Sequence, residues 1–107
     1  MKKINLAISG CLGRMGQQLI KSSKSNKNFK LVTLTENKIT KKKIAGIKLN
    51  LNTDQAFKNI DVIIDFTVPN CTLDILKIAS KIKKRVVIGT TGFTQKEDDL
   101  ILLSLYR

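Results

Sequence analysis

At 107 residues, with 42% hydrophobic and 26% charged content, the chain fits one soluble globular domain with a modest core, short for a complete doubly wound sheet. No apolar stretch approaches the roughly 20 residues of a membrane span, so no membrane partner is expected. The net charge of +12 comes almost wholly from scattered lysines, but the few aromatics and the missing RNA-recognition signature favour a solvated basic surface over specific nucleic-acid binding.

The start, Met1-Lys2-Lys3 and then apolar residues up to Cys11, superficially resembles a lipoprotein signal. Its apolar part, 4–8, is shorter than the roughly 7–15 residues a signal core needs. Cys11 and Cys71 have no metal or redox spacing, which predicts a reduced, cytoplasmic setting and no metal site.

The near-continuous apolar run 4–8 predicts a buried parallel strand, followed by the glycine turn Gly10-Cys11-Leu12-Gly13-Arg14-Met15-Gly16. Such a turn lets backbone N–H groups approach a pyrophosphate and opens a helix whose positive end faces it. The spacing is G-x-x-G-x-x-G rather than the usual G-x-G-x-x-G, with Leu12 at the usual second glycine. As a bare pattern it fits a structural turn equally well. Context favours a nucleotide: a helix over 14–24 with Met15, Leu19 and Ile20 toward the sheet, a second strand over 30–35, then Glu36 where a ribose-binding acid is expected.

Residues 36–43 read as a polar, basic, mobile loop, and the period-two segment 47–51 as a short, half-exposed strand. Thr53 is expected to cap a brief helix over 54–58. A buried strand over 62–66 leads through Thr67-Val68-Pro69 to Asn70, a candidate N-cap for a helix over 71–83. A strand over 85–88 ends in Gly89-Thr90-Thr91-Gly92, and Thr94 with Glu97 form a capping box for a last helix. The run 100–107 has no clean polar face; it reads as a helix buried on most sides or as a truncated or frame-shifted terminus.

Alternating strands and helices predict an α/β, Rossmann-type, doubly wound parallel sheet. Ligands bind such sheets beyond the carboxyl ends of the strands. That rule gathers four loops: 10–16, 36–38, 66–69 and 89–92.

Gly-Arg-Met-Gly at 13–16, Asp65-Phe66-Thr67 and Gly89-Thr90-Thr91-Gly92-Phe93, in this order, resemble the 4-hydroxy-tetrahydrodipicolinate reductase (dihydrodipicolinate reductase) family, up to about residue 100. The resemblance implies an NADH- or NADPH-binding Rossmann domain, here 1–107. It also implies a substrate domain elsewhere in the family's protein that this chain lacks, and a place in lysine biosynthesis through diaminopimelate. It further implies that Gly10, Cys11, Leu12, Gly13, Arg14 and Met15 cradle the pyrophosphate. Glu36 would hold the adenosine ribose, and Gly89, Thr90 and Thr91 would lie beside the nicotinamide and its ribose. Phe66 and Thr67 would line the same crevice.

Plainer readings stand beside these. Phe66 fits a core aromatic, Thr90 and Thr91 a capped turn, Arg14 a solvated charge, and Asp65 a turn-forming residue. Two departures from the family follow. Asn37 stands where members often carry an arginine that meets the 2′-phosphate of NADPH, with Lys38 or the lysines at 41–43 as substitutes. The chain also has no histidine, so the family's His general acid, its Lys and its Ser-Gly-Thr turn have no counterpart. The chain is therefore expected to supply the cofactor half, to meet substrate only through the missing domain, and not to turn over alone. The full-length family protein would be the form that assembles as a homo-oligomer. A non-catalytic nucleotide-binding module is the alternative.

Overall fold

The apolar run that begins the chain lies in the middle of a sheet, where strands need apolar side chains on both faces. The computed structural model describes residues 3–38, 41 and 43–89. In chain order the elements are β1 (Ile4–Ser9), α1 (Arg14–Ser25), β2 (Phe29–Thr35), β3 (Lys43–Ile44), β4 (Ile47–Asn50), β5 (Val62–Asp65), α2 (Pro69–Ile82) and β6 (Arg85–Ile88). The sheet order is β3-β4-β2-β1-β5-β6, and every neighbouring pair is parallel except β3 with β4. The chain moves outward from β1 to β2 in one direction and from β5 to β6 in the other. The switch between them falls at the paired ends of β1 and β5, where Ser9 lies opposite Asp65.

Because successive strand residues face opposite ways, β1 feeds two cores at once. Leu6 and Ile8 pack with Cys11, Ile20, Leu34 and Leu49 on the α1 side. Ala7 packs with Phe57, Ile60, Ile63, Ile75 and Ala79 on the α2 side. The pairing of β1 with β2 slips once: Leu6 opposes Leu31 but Ala7 opposes Thr33, leaving Val32 as an extra residue. The slip explains why Leu31 and Leu34, an odd number apart, both pack on the α1 side. Fully burying side chains of this size is worth roughly 1.5–3 kcal/mol each. The sheet and its two covered faces carry the stability.

Several expected boundaries shift. The helix expected over 54–58 is a string of turns. Thr53 Oγ1 does accept the Ala56 N–H at 3.1 Å, but the following bonds, Lys58 N–H to Gln55 O at 3.3 Å and Ile60 N–H to Phe57 O at 3.2 Å, span three residues. So short a segment cannot offset helix nucleation; burial of Phe57 and Ile60 holds it instead. Helix α2 begins at Pro69 with Val68 as N-cap, not at Asn70, because proline's fixed φ and missing N–H suit the first helical position. Strand β5 stops at Asp65, one residue short of Phe66.

The basic loop hides a strand: Lys43–Ile44 pairs antiparallel with β4 across Ala45 and Gly46, whose φ values of 56° and 77° make a tight hairpin turn. On α1 the residues facing inward are Gly16, Ile20 and Ser23, whereas Met15, expected to face the sheet, is 50% exposed. The capping box at 94–97 and the run 100–107 lie outside the described residues. Among the described residues no helix is long and apolar enough to cross a membrane.

Lys83 closes α2 in the left-handed region, at φ 59° and ψ 49°. A side chain with a Cβ is disfavoured there by roughly 1–2 kcal/mol, and glycine is not. Lys83→Gly is therefore expected to stabilise the chain by about 0.5–1 kcal/mol, after the entropy glycine adds to the unfolded state. Thermal unfolding followed by circular dichroism should show a higher Tm, and an unchanged or lower Tm would contradict this account.

Candidate nucleotide site

Three glycines shape the turn after β1, and they do different work. Gly10 has φ +84°, and a Cβ there would come within 2.3 Å of the Phe66 carbonyl oxygen at the end of β5. Gly16, in α1, lies so close beneath the turn that its Cβ would meet Gly10 O at 2.3 Å and Cys11 Cα at 2.8 Å. Gly13 has an ordinary extended backbone, φ −74° and ψ 168°, and among the described residues a Cβ there would touch only Gly10 O, at 3.5 Å. The turn is closed by Gly13 N–H to Gly10 O at 3.1 Å and tied to β2 by Gly10 N–H to Thr35 O at 3.1 Å. The chain's own packing thus demands glycine at 10 and 16 but not at 13.

Gly13 is also the N-cap of α1. Among the described residues that helix has no side-chain cap hydrogen bond, and its first turn holds no acid. Its first N–H groups and the positive end of its dipole are left for something else to answer. Leu12, Arg14 and Met15 around it are exposed.

Glu36, just past β2, lies against this turn. Its Oε2 accepts the Leu12 N–H at 3.0 Å and its Oε1 accepts the Asn37 N–H at 3.2 Å. The sequence identified Glu36 by its distance from the turn but gave no sign of this direct bond. Cys11 is fully buried among the α1-side core, so anything it offers a ligand comes from its backbone. Burial, and then the Glu36 charge nearby, push its thiol up to about 11. Burial likewise raises the Cys71 thiol.

Across the switch point, Phe66 N–H donates to Ser9 O at 3.1 Å, and Gly89 N–H donates to Asp65 O at 2.8 Å. A Cβ at Gly89 would fall 2.0 Å from the Phe66 ring, so the ring lies directly over that glycine. Thr67 is half-buried and turns its hydroxyl to Asp65 at 2.6 Å. Asp65 is fully buried, which removes it from direct contact with a ligand. Thr90 and Thr91 lie outside the described residues. The fold therefore brings together the turn at 10–16, Glu36, Phe66, Thr67 and Gly89 along the carboxyl edge of the sheet.

Sequence reasoning missed two polar contacts behind this edge. Thr72, on α2, donates its hydroxyl to Asp65, and Ser9 Oγ bonds Asn52 Oδ1 at 3.1 Å. The spacing of Thr72 from Asp65 carries no recognised motif, and Asn52 falls between the strand expected over 47–51 and the cap expected at Thr53, where no site was expected. Beside Ser9, Thr35 Oγ1 is buried and has no hydrogen-bond partner among the described residues. Two surface depressions, about 280 and 290 Å³, lie at the opposite edge and hold none of the site residues; Lys3, Lys24 and Lys27 line one, Lys83, Lys84 and Arg85 the other.

A family model described as "Dihydrodipicolinate reductase, N-terminus" matches residues 4–103. The chain belongs to this family. It is 84% identical over 101 residues to the 4-hydroxy-tetrahydrodipicolinate reductase of Pelagibacter ubique (strain HTCC1062), covering 94% of this chain and 39% of that one. Among solved structures it is similar to a dipicolinate-bound dihydrodipicolinate reductase from Paenisporosarcina sp. TG-14, with a TM-score of 0.79, 26% identity, and coverage of 96% of this chain and 43% of that one. A likeness to S. aureus homoserine dehydrogenase, TM-score 0.77 at 21% identity, covers 98% of this chain and 30% of the other and speaks for the fold alone. The chain thus corresponds to the N-terminal, nucleotide-binding part of the dihydrodipicolinate reductase family and spans well under half the length of these relatives. The expected Rossmann-type architecture holds.

The buried thiol generates a pH prediction. A thiol is neutral when protonated, and folded Cys11 keeps its proton up to about 11 while the unfolded chain releases it from 9.0. Between those values the folded state binds more protons, so stability falls as pH rises. Comparison with a Cys11→Ala chain isolates the thiol, because every other ionisable group is common to both. Urea unfolding at about pH 8 and about pH 10.5 should show the native chain losing up to about 2 kcal/mol more than Cys11→Ala. Equal losses would mean that the thiol ionises freely in the folded chain.

Proposed function

We propose that this chain binds NADH or NADPH along the carboxyl edge of its sheet and forms the cofactor half of a 4-hydroxy-tetrahydrodipicolinate reductase. The observation that carries the reading is the 3.0 Å bond between Leu12 N–H and Glu36 Oε2. It sets a carboxylate suited to ribose hydroxyls beside a glycine turn suited to a pyrophosphate. The uncapped N-terminus of α1 supplies N–H groups and a positive dipole end to the phosphates. Gly13, which the turn itself does not require, keeps their approach clear.

With the adenosine held on the β2 side, the remainder of the dinucleotide extends across the switch point to the ends of β5 and β6. Phe66, Thr67 and Gly89 wall that end, and Thr90 and Thr91 belong to the same reading. Bound there, the nicotinamide would supply a hydride to the cyclic substrate after loss of water, giving tetrahydrodipicolinate. The chain's part is to orient the ring and to exclude water from one of its faces. The substrate and the second domain that would hold it are part of this proposal, as are the lysine-biosynthetic role, the cytoplasmic setting and a homo-oligomeric full-length protein.

Gly13→Val tests the phosphate path. It should abolish nucleotide binding in titration calorimetry, while costing only about 1 kcal/mol of stability as a poorer N-cap. Gly16→Ala should instead cost about 1–3 kcal/mol by crowding the turn. A Gly13→Val chain that still bound NADH with native affinity would place the pyrophosphate elsewhere.

The cofactor choice turns on Glu36 and Asn37. A carboxylate favours the ribose hydroxyls of NADH and repels a 2′-phosphate carrying roughly −1.5 to −2 charge. Asn37 cannot offset that repulsion with the bidentate contact an arginine makes. Exposed lysines such as Lys38 are screened within roughly 8 Å at physiological salt. NADH should therefore bind at least as well as NADPH, with NADPH gaining only as salt is lowered. Asn37→Arg should shift the ratio toward NADPH, and Glu36→Ala should weaken NADH more than NADPH. Dissociation constants at two salt concentrations check this; a NADPH preference that persists at high salt would reveal a direct grip on the 2′-phosphate.

A further inference from the structure

A carboxylate removed from water must be met by donors, because an unpaired buried charge is strongly disfavoured. Asp65 is fully buried at the end of β5, and two hydroxyls meet it. Thr67 Oγ1 donates to one carboxylate oxygen at 2.6 Å, and Thr72 Oγ1 donates to the other. The backbone carbonyl of the same residue accepts Gly89 N–H at 2.8 Å. One residue thus joins three separate segments: the loop after β5, the early turns of α2, and the end of β6.

The place of this junction gives it a consequence. If Glu36 holds the adenosine half on the β2 side, the nicotinamide half lies over Phe66, Thr67 and Gly89. Phe66 and Thr67 belong to neither flanking element, since β5 ends at Asp65 and α2 begins at Pro69. Asp65 precedes that short loop and grips it twice, once through Thr67 within it and once through Thr72 beyond it. The Phe66 ring then rests on Gly89, whose own N–H is fixed to Asp65.

We propose that Asp65 is a positioning residue for the nicotinamide end of the cofactor, acting through Thr67, Phe66 and Gly89 without touching the nucleotide. The inference rests on the nucleotide-binding reading above. It assigns to Asp65 a selective effect: the wall facing the nicotinamide half depends on this carboxylate, while the glycine turn and Glu36 do not.

The test compares NADH with ADP, which keeps the adenosine and both phosphates but lacks the nicotinamide half. Titration calorimetry is run on the native chain and on Asp65→Ala, Asp65→Asn and Thr72→Val. Asp65→Ala should weaken NADH by about tenfold and ADP by less than about twofold. Thr72→Val keeps the shape but loses one donor, and should weaken NADH by about threefold with ADP unchanged. Asp65→Asn should recover most of the NADH affinity, because an amide can accept from one threonine hydroxyl and donate to the other. If Asp65→Ala does not fold, the pair Asp65→Asn and Thr72→Val decides by the same NADH-to-ADP ratio.

A purely structural role would lower both ligands together, so equal losses overturn the inference, as does a ratio unchanged in every variant. A native chain that binds neither NADH nor ADP overturns the nucleotide-binding reading itself, and this inference with it.

Discussion

The ends of β1 and β5 meet so closely that position 10 has no room for a Cβ. A side chain there would stand 2.3 Å from the Phe66 carbonyl oxygen. Much else follows from that approach. With Gly10 at positive φ, the backbone leaves β1, closes on itself through Gly13 and re-enters as α1. Gly16 then lets the helix settle onto the turn it has just left, so the first turn of α1 points at the edge of the sheet and not away from it. The two halves of the crevice, one at Glu36 and one at Phe66, lie on either side of this contact.

The sheet's central strands were legible because burial on both faces leaves near-continuous apolar runs. Val62, Ile63 and Ile64 read as a strand and are one. Helix α2 was legible from Ile75, Ile78, Ala79 and Ile82, but not its start, since Asn70 looked the better cap and Pro69 won on backbone geometry. The β3–β4 hairpin was hidden because its turn uses Ala45 before Gly46, without the asparagine or aspartate that usually marks such turns. In the site, Glu36 and the glycines were readable from spacing. The Asp65–Thr72 pairing was not, because it depends on how the first turns of α2 face β5, a tertiary fact with no local signature.

The distribution of charge separates composition from function. The chain carries +12, yet the arginine and lysines that line depressions lie at the amino edge of the sheet, where α1 and α2 end and their dipoles favour cations. At the carboxyl edge, Glu36 and buried Asp65 are the acids of the site among the described residues, and the helix N-terminus of α1 supplies positive potential from its peptide dipoles. Backbone dipoles are fixed in direction and are not lost when a lysine swings away or salt rises. A phosphate at that edge would be recognised chiefly by geometry.

The extra residue in β2 gives the strand a tolerance that regular strands lack. Elsewhere in a buried sheet, removing one residue turns every following side chain to the opposite face. Here the pairing resumes at Thr33 as though Val32 were absent, since Leu6 opposes Leu31 and Ala7 opposes Thr33. A lineage that lost codon 32 would heal the irregularity and surrender one partly buried valine from the α2-side core. Thr33, Leu34 and Thr35 would keep their partners, and Glu36 would still emerge beside Leu12. In this strand, one residue can be lost ahead of the site without moving it.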